Sequence, residues 1–140
     1  MTALKLLAED EDDLKVISAA LQDAVLTVGD ISYEPASRRL TLVVNRYRWE
    51  KTVRKERIRA ALQIGSVESV QARKIRRDAR KAVLSLLAVT FEPGEAPGGH
   101  LVLSFAGDAD LRVAVECIDA ALADVTAPWP TPRIPQHDLK

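Results

Sequence analysis

The 140-residue sequence has little of what most chemistry needs. It carries one cysteine, Cys117, and two histidines, His100 and His137. A single cysteine excludes an internal disulfide and suits a reducing compartment. These three residues are far apart, with no CxxC or HxxxH pair, so a structural zinc site has no ligand set. Gly-x-Ser-x-Gly and Walker-type loops are absent. Pro97-Gly98-Gly99 is followed by no lysine or helix start, so it is a turn rather than a phosphate cradle. Aromatic residues make up 4%, which leaves the core to Val, Leu, Ile and Ala. No apolar run approaches the roughly 20 residues of a membrane helix, and the start of the chain turns acidic instead of presenting a basic, then apolar, signal segment. The expectation is a soluble cytoplasmic protein with no integral membrane contact, no metal and no cofactor.

What the sequence does have is charge sorted by position. Residues 1–37 hold two basic and eight acidic side chains, net −6. Residues 38–81 hold 15 basic against four acidic, net +11, and residues 82–140 hold three against eight, net −5. These sum to zero, as the 20 basic and 20 acidic residues require. Such a central block faces an anionic partner or the acidic ends of its own fold.

A hydrophobic content of 47% over 140 residues belongs to one folded domain with a real core. Leu4 to Leu7 reads as a strand. The acids at 10–13 cap a helix over about Asp12 to Gln22, with Leu14, Ile17 and Leu21 at helical spacing. Alternating patterns then predict strands over 25–33, from Leu40 through about Trp49, 58–64, 67–75, 100–106 and 111–115. Val83 to Phe91 is nearly all apolar and predicts a central strand buried on both faces. From about Glu116, the spacing of Ile118, Ala121, Leu122 and Val125 predicts a closing helix. The expected fold is α+β: an antiparallel β-barrel or strongly curved sheet, pleckstrin-homology-like, with one N-terminal and one C-terminal helix, and an open α+β sheet is the second choice. Residues 1–126 form the domain and 127–140 a proline-rich tail.

Several segments together resemble an uncharacterised, mainly alphaproteobacterial family of unknown function. They are Leu21-Gln22-Asp23-Ala24-Val25, Asn45-Arg46-Tyr47-Arg48-Trp49-Glu50, Leu84-Ser85-Leu86-Leu87-Ala88, Phe105-Ala106-Gly107 and Val115-Glu116-Cys117-Ile118. The resemblance covers nearly the whole chain and implies a small cytoplasmic protein with no assigned activity. It brings no catalytic motif.

The candidate binding surface is therefore basic: Arg46, Arg48, Arg54, Lys55, Arg57, Arg76, Arg77, Arg80 and Lys81. On a strand, Arg46 and Arg48 share one face and Tyr47 and Trp49 the other. The cations offer bidentate contacts to phosphate or carboxylate, or they pair with Glu50, Glu56 and the acidic ends. Trp129, on the proline-rich tail, is the candidate interface anchor, docking onto its own domain or a neighbouring subunit. The function stays open. The first reading is a non-enzymatic module that binds a protein partner or itself. The second is RNA or DNA binding through the arginines, and a distant third is a small hydrolase-type enzyme using His100 or Cys117.

Overall fold

The computed structural model describes residues 4–50, 55–132 and 134–135. Strand β1 (Lys5–Ala8) leads into helix α1 (Glu11–Ala20). Asp10 caps the helix: its Oδ1 accepts from the Asp13 backbone N–H at 2.8 Å. Glu11, Asp12 and Asp13 fill the first turn, where negative charge complements the helix dipole. Leu14, Ile17 and Leu21 recur on one face and are buried.

Ten further strands follow among the described residues. They are β2 (Ala24–Thr27), β3 (Ile31–Glu34), β4 (Arg39–Tyr47), β5 (Glu56–Ile64), β6 (Val67–Arg73), β7 (Val83–Pro93), β8 (Gly99–Phe105), β9 (Ala109–Val115), β10 (Ala120–Asp124) and the two-residue β11 (Trp129–Pro130). All pair antiparallel in one sheet, ordered β1-β10-β5-β4-β2-β7-β8-β9-β6. Strand β3 hangs from the first half of β4, and β11 from the start of β5. One cluster of inward side chains forms the core, including Leu42, Leu62, Leu86, Leu103 and Leu122.

The architecture corrects the expected fold. It is a mostly antiparallel sheet that does not close, with one α-helix among the described residues, and not a two-helix pleckstrin-homology-like α+β barrel. The C-terminal helix is absent: Ala120–Asp124 is strand β10, held between β1 and β5. Leu6, Leu122 and Leu62 stand in register across these three strands. A helix in that place would leave the facing edges of β1 and β5 without backbone partners, and unpaired buried backbone groups are costly. Ala120 and Leu122 point inward at period two, which satisfies the same apolar residues that also fit a helical spacing.

Strand β7 also departs from expectation. Leu86 and Val89 are buried, but Val83 is 67% exposed and Leu87 38%. One face of β7 therefore meets solvent. A bulge between Leu86 and Ala88 breaks the register with β8, and α1 docks there. The Ser18 hydroxyl accepts from the Val89 N–H at 2.9 Å, which ties α1 to β7 beyond the last residue that β2 pairs, Leu86.

The place where the sheet fails to close lies between β3 and the edge strand β6. Beside β3, the Val67 N–H donates to the Arg38 carbonyl at 3.0 Å and Arg38 Nε donates to the Val67 carbonyl at 3.4 Å. Beyond these bonds no pairing among the described residues joins β3 to β6, and a cleft of about 450 Å³ opens there. No helix of the described residues is long and apolar enough to cross a membrane.

Candidate functional site

The basic block divides into two regions with opposite fates. The first is the end of β4. Leu40, Leu42, Val44 and Arg46 follow one another at period two, and all are fully buried. The strand phase that sends three aliphatic side chains into the core sends Arg46 there too. A buried cation needs full pairing, and Arg46 has it. Its Nε and Nη2 donate to Asp124 Oδ1 and Oδ2, each at 2.9 Å. Its Nη1 and Nη2 donate to Glu50 Oε1 at 3.0 Å and Oε2 at 2.8 Å. A fifth bond runs from Nη1 to the Tyr47 carbonyl at 3.3 Å.

Burial works against the charged guanidinium, but the hydrogen bonds and charges of Glu50 and Asp124 outweigh it and hold Arg46 above its ordinary pKa. The Arg46 hydrogen bonds in turn hold the Glu50 carboxyl below the usual carboxylate range, against the opposing effect of its own partial burial. Asp124, 1% exposed, also accepts from the Leu4 N–H at 2.9 Å. One carboxylate thus ties β10 to β4 and β1.

Neighbouring cations are spent in the same way. Arg48 is buried and donates to Glu56 at 2.8 Å, with Glu50 3.9 Å away. Arg57 donates to the Asn45 carbonyl at 3.2 Å, and burial pushes its pKa down. Arg59 reaches Asn45 Oδ1 at 3.2 Å and Asp30 at 3.4 Å. Burial raises the Asp30 pKa, but hydrogen bonds from Thr27 and the Arg59 guanidinium bring it below its usual value. Tyr47 and Trp49 do not form an open stacking face. Tyr47 is buried, their rings lie 4.7 Å apart, and the Trp49 indole N–H donates to the Gln22 carbonyl at 3.0 Å.

The second region is the connection between β6 and β7. Its first cations are neutralised. Arg73 pairs with Asp108 at 3.1 Å and Asp110 at 2.6 Å, Lys74 with Asp108 at 3.0 Å, and Arg76 with Asp78 at 3.3 Å. Hydrogen bonds from Arg73 and Lys74 lower the Asp108 carboxyl to about 2. Beyond these, neutralisation stops. Arg77 and Lys81 are exposed and make no hydrogen bond or ion pair among the described residues, while Arg80 donates only to the Gly29 carbonyl, at 3.4 Å. The loop is nonetheless anchored. The Gly29 N–H donates to the Arg80 carbonyl at 2.8 Å, and the Val28 N–H to the Ala82 carbonyl at 3.0 Å. A Cβ at position 29 would stand 3.1 Å from that Arg80 carbonyl, so glycine suits this close approach.

This anchored loop overhangs the cleft. Val28 and, on β3, Ile31 and Tyr33 line one side and Val70 and Ala72 of β6 the other, with Leu111 of β9, Ile75, Arg77 and Arg80 completing the lining. The arrangement is an apolar slot with two guanidinium groups and no carboxylate among its lining residues.

The remaining candidates fall elsewhere. Lys55 is exposed beside the tail, where its carbonyl accepts from the Thr131 N–H at 2.9 Å. Arg54 and His137 lie outside the described residues. Trp129 opposes Arg57 across the β11–β5 pair and remains 37% exposed. Cys117 precedes β10 rather than opening a helix, and its Sγ lies 3.8 Å from Ser66 Oγ; no hydrogen bond joins it to His100. Among the described residues, no three His, Cys, Asp or Glu side chains gather to hold a metal ion.

Arg77 and Arg80 were visible in the sequence as part of the basic block. The apolar walls were not, because Ile31, Tyr33, Val70 and Ala72 come from strands whose proximity depends on the whole sheet. A family model described as "Protein of unknown function (DUF2948)" matches residues 4–137. No curated protein and no solved structure matches the chain.

Proposed function

We propose that this chain, which belongs to the family of unknown function DUF2948, is a non-enzymatic binding module that receives a protein partner at the open edge of its sheet. The observation that carries the reading is the distribution of unneutralised positive charge. Arg46, Arg48 and Arg59 are paired with carboxylates inside the fold, and Arg73, Lys74 and Arg76 with carboxylates on its surface. Arg77, Arg80 and Lys81 have no such partner among the described residues and share one loop. That loop borders both an apolar cleft and an edge strand, the two features by which extended chains are commonly captured.

The same distribution disfavours a nucleic-acid surface. Phosphate tracking needs a continuous cationic stripe, and here Asp78, Asp108 and Asp110 interrupt the remaining cations. The reading also takes the chain as a bacterial cytoplasmic protein of mainly alphaproteobacterial occurrence, in keeping with its lone thiol and the family resemblance.

The test compares the wild-type protein with the Arg77→Glu/Arg80→Glu variant as affinity baits. Captured proteins are then purified and titrated against both forms. The expected result is a protein that binds the wild type directly and the variant at least tenfold more weakly. A dimer of the chain itself, dissolved by the same substitutions, would make the partner a second copy. Equal binding by both forms, or steeply salt-dependent binding to RNA or DNA alone, would overturn the reading.

A further inference from the structure

We infer that the cleft between β3 and β6 takes aliphatic side chains of an extended partner segment, and that a carboxylate on the same segment engages Arg77 and Arg80. The inference rests on the protein-binding reading and names the chemistry of the bound segment.

Three observations point to this occupant. The volume, about 450 Å³, lies within the range of roughly 300–1,000 Å³ typical of ligand-holding clefts. The walls are aliphatic apart from the Tyr33 ring, so a fully charged or hydrated group has no counterpart within them. The two guanidinium groups stand on a single overhanging loop and have no carboxylate of their own. Guanidinium groups beside low-polarity walls favour a planar carboxylate, which accepts paired N–H donors. A wholly acidic segment would leave the slot unfilled, and a wholly aliphatic one would leave the arginines unanswered. The two features together select a mixed segment, aliphatic side chains followed closely by an acidic one.

The slot is bounded along its length. The bond between the Val67 N–H and the Arg38 carbonyl closes one end, and the loop anchored to Gly29 overhangs another part. This confinement favours a short stretch of side chains over a long apolar helix.

The test is a fluorescence-anisotropy titration of the full chain with three labelled peptides: Gly-Leu-Val-Ile-Glu-Glu-Gly, the same peptide with glutamine for both glutamates, and the same peptide with serine for Leu, Val and Ile. Two variants accompany the wild type. Arg77→Glu/Arg80→Glu reverses the charge, and Ala72→Trp fills the slot from an exposed position on β6. Amide hydrogen exchange of the β8 and β9 core verifies that each variant is folded. The expected result is saturable binding of the first peptide, with at least a tenfold loss for either altered peptide and for either variant. Equal binding of all three peptides overturns the inference, as does binding that Ala72→Trp leaves unchanged. The same holds if a partner obtained with the wild type binds the Ala72→Trp form normally. In that last case its loss with the charge-reversed variant leaves the binding-module reading standing, whereas partner binding indifferent to Arg77 and Arg80 removes that reading itself.

Discussion

Arg46 and Arg77 belong to the same positively charged stretch of sequence, and the fold treats them in opposite ways. Arg46 sits in the inward phase of β4, fully buried, and makes five hydrogen bonds. Arg77 sits in an exposed loop, lines an apolar cleft, and meets no carboxylate among the described residues. The charge total of residues 38–81 therefore measures no surface. One part of it holds the interior together across β4, β10 and β1, and another part stays on the surface with no carboxylate partner among the described residues. Strand phase and the availability of Asp124, Glu50, Asp108 and Asp110 decide which part a given residue joins.

The comparison is broken most directly at Asp124. Its replacement by Asn removes one of the two carboxylates that hold the buried Arg46, which keeps Glu50, and hydrogen bonds to charged groups contribute about 1.5–3 kcal/mol. Chemical denaturation of Asp124→Asn should show a loss of about 2 kcal/mol. The reciprocal experiment is Arg77→Glu/Arg80→Glu, which should reduce partner binding at least tenfold while changing unfolding free energy by less than about 0.5 kcal/mol, as is usual for surface positions. Together these two variants separate stability from binding. A large loss of stability in the second would show that the loop cations are structural after all.

Acid sharpens the contrast further. The folded state holds the Glu50 carboxyl below its ordinary value of 4.5, chiefly through the Arg46 hydrogen bonds. A depressed carboxylate stabilises the fold above its unfolded pKa, and that contribution is lost as pH falls through the folded pKa. Unfolding midpoints measured from pH 6 downward should thus fall below about pH 4.5, and Glu50→Gln should flatten that part of the curve. The smallest effect belongs to Asp108, exposed and held by Arg73 and Lys74 at about 2. Its carboxyl resonance should titrate near that value, and Asp108→Asn should leave the melting temperature measurably unchanged.

Much of the sheet was legible because period-two alternation is local. The strands at Arg39–Tyr47, Glu56–Ile64 and Ala109–Val115 lie close to where the alternation of Leu42, Leu62 and Val113 puts them. Capping by Asp10 and its acidic neighbours likewise marks the start of α1. The segment from Glu116 misled because Ile118, Ala121, Leu122 and Val125 fit a helix, while Ala120 and Leu122 fit a strand equally well. Only the unpaired edges of β1 and β5, distant in sequence, decide between them. The position of Arg46 was also encoded locally, as the fourth member of the series Leu40, Leu42, Val44, but its carboxylate partner Asp124 is 78 residues away. The cleft had no local signal, since Tyr33 and Val70 become neighbours only when the sheet curls and stops short of closing.

The most direct measurement is proton exchange at the arginine Nε–H groups, followed by 15N NMR near neutral pH. The Arg46 Nε–H is buried and donates to Asp124 at 2.9 Å, so its resonance should persist and exchange slowly. The Nε–H groups of Arg77 and Arg80 should exchange with water at the rate of free arginine. An Arg46 Nε–H that exchanges as fast as that of Arg77 would mean the two arginines share one exposed surface, and would contradict the division of the basic block into an internal and an external part.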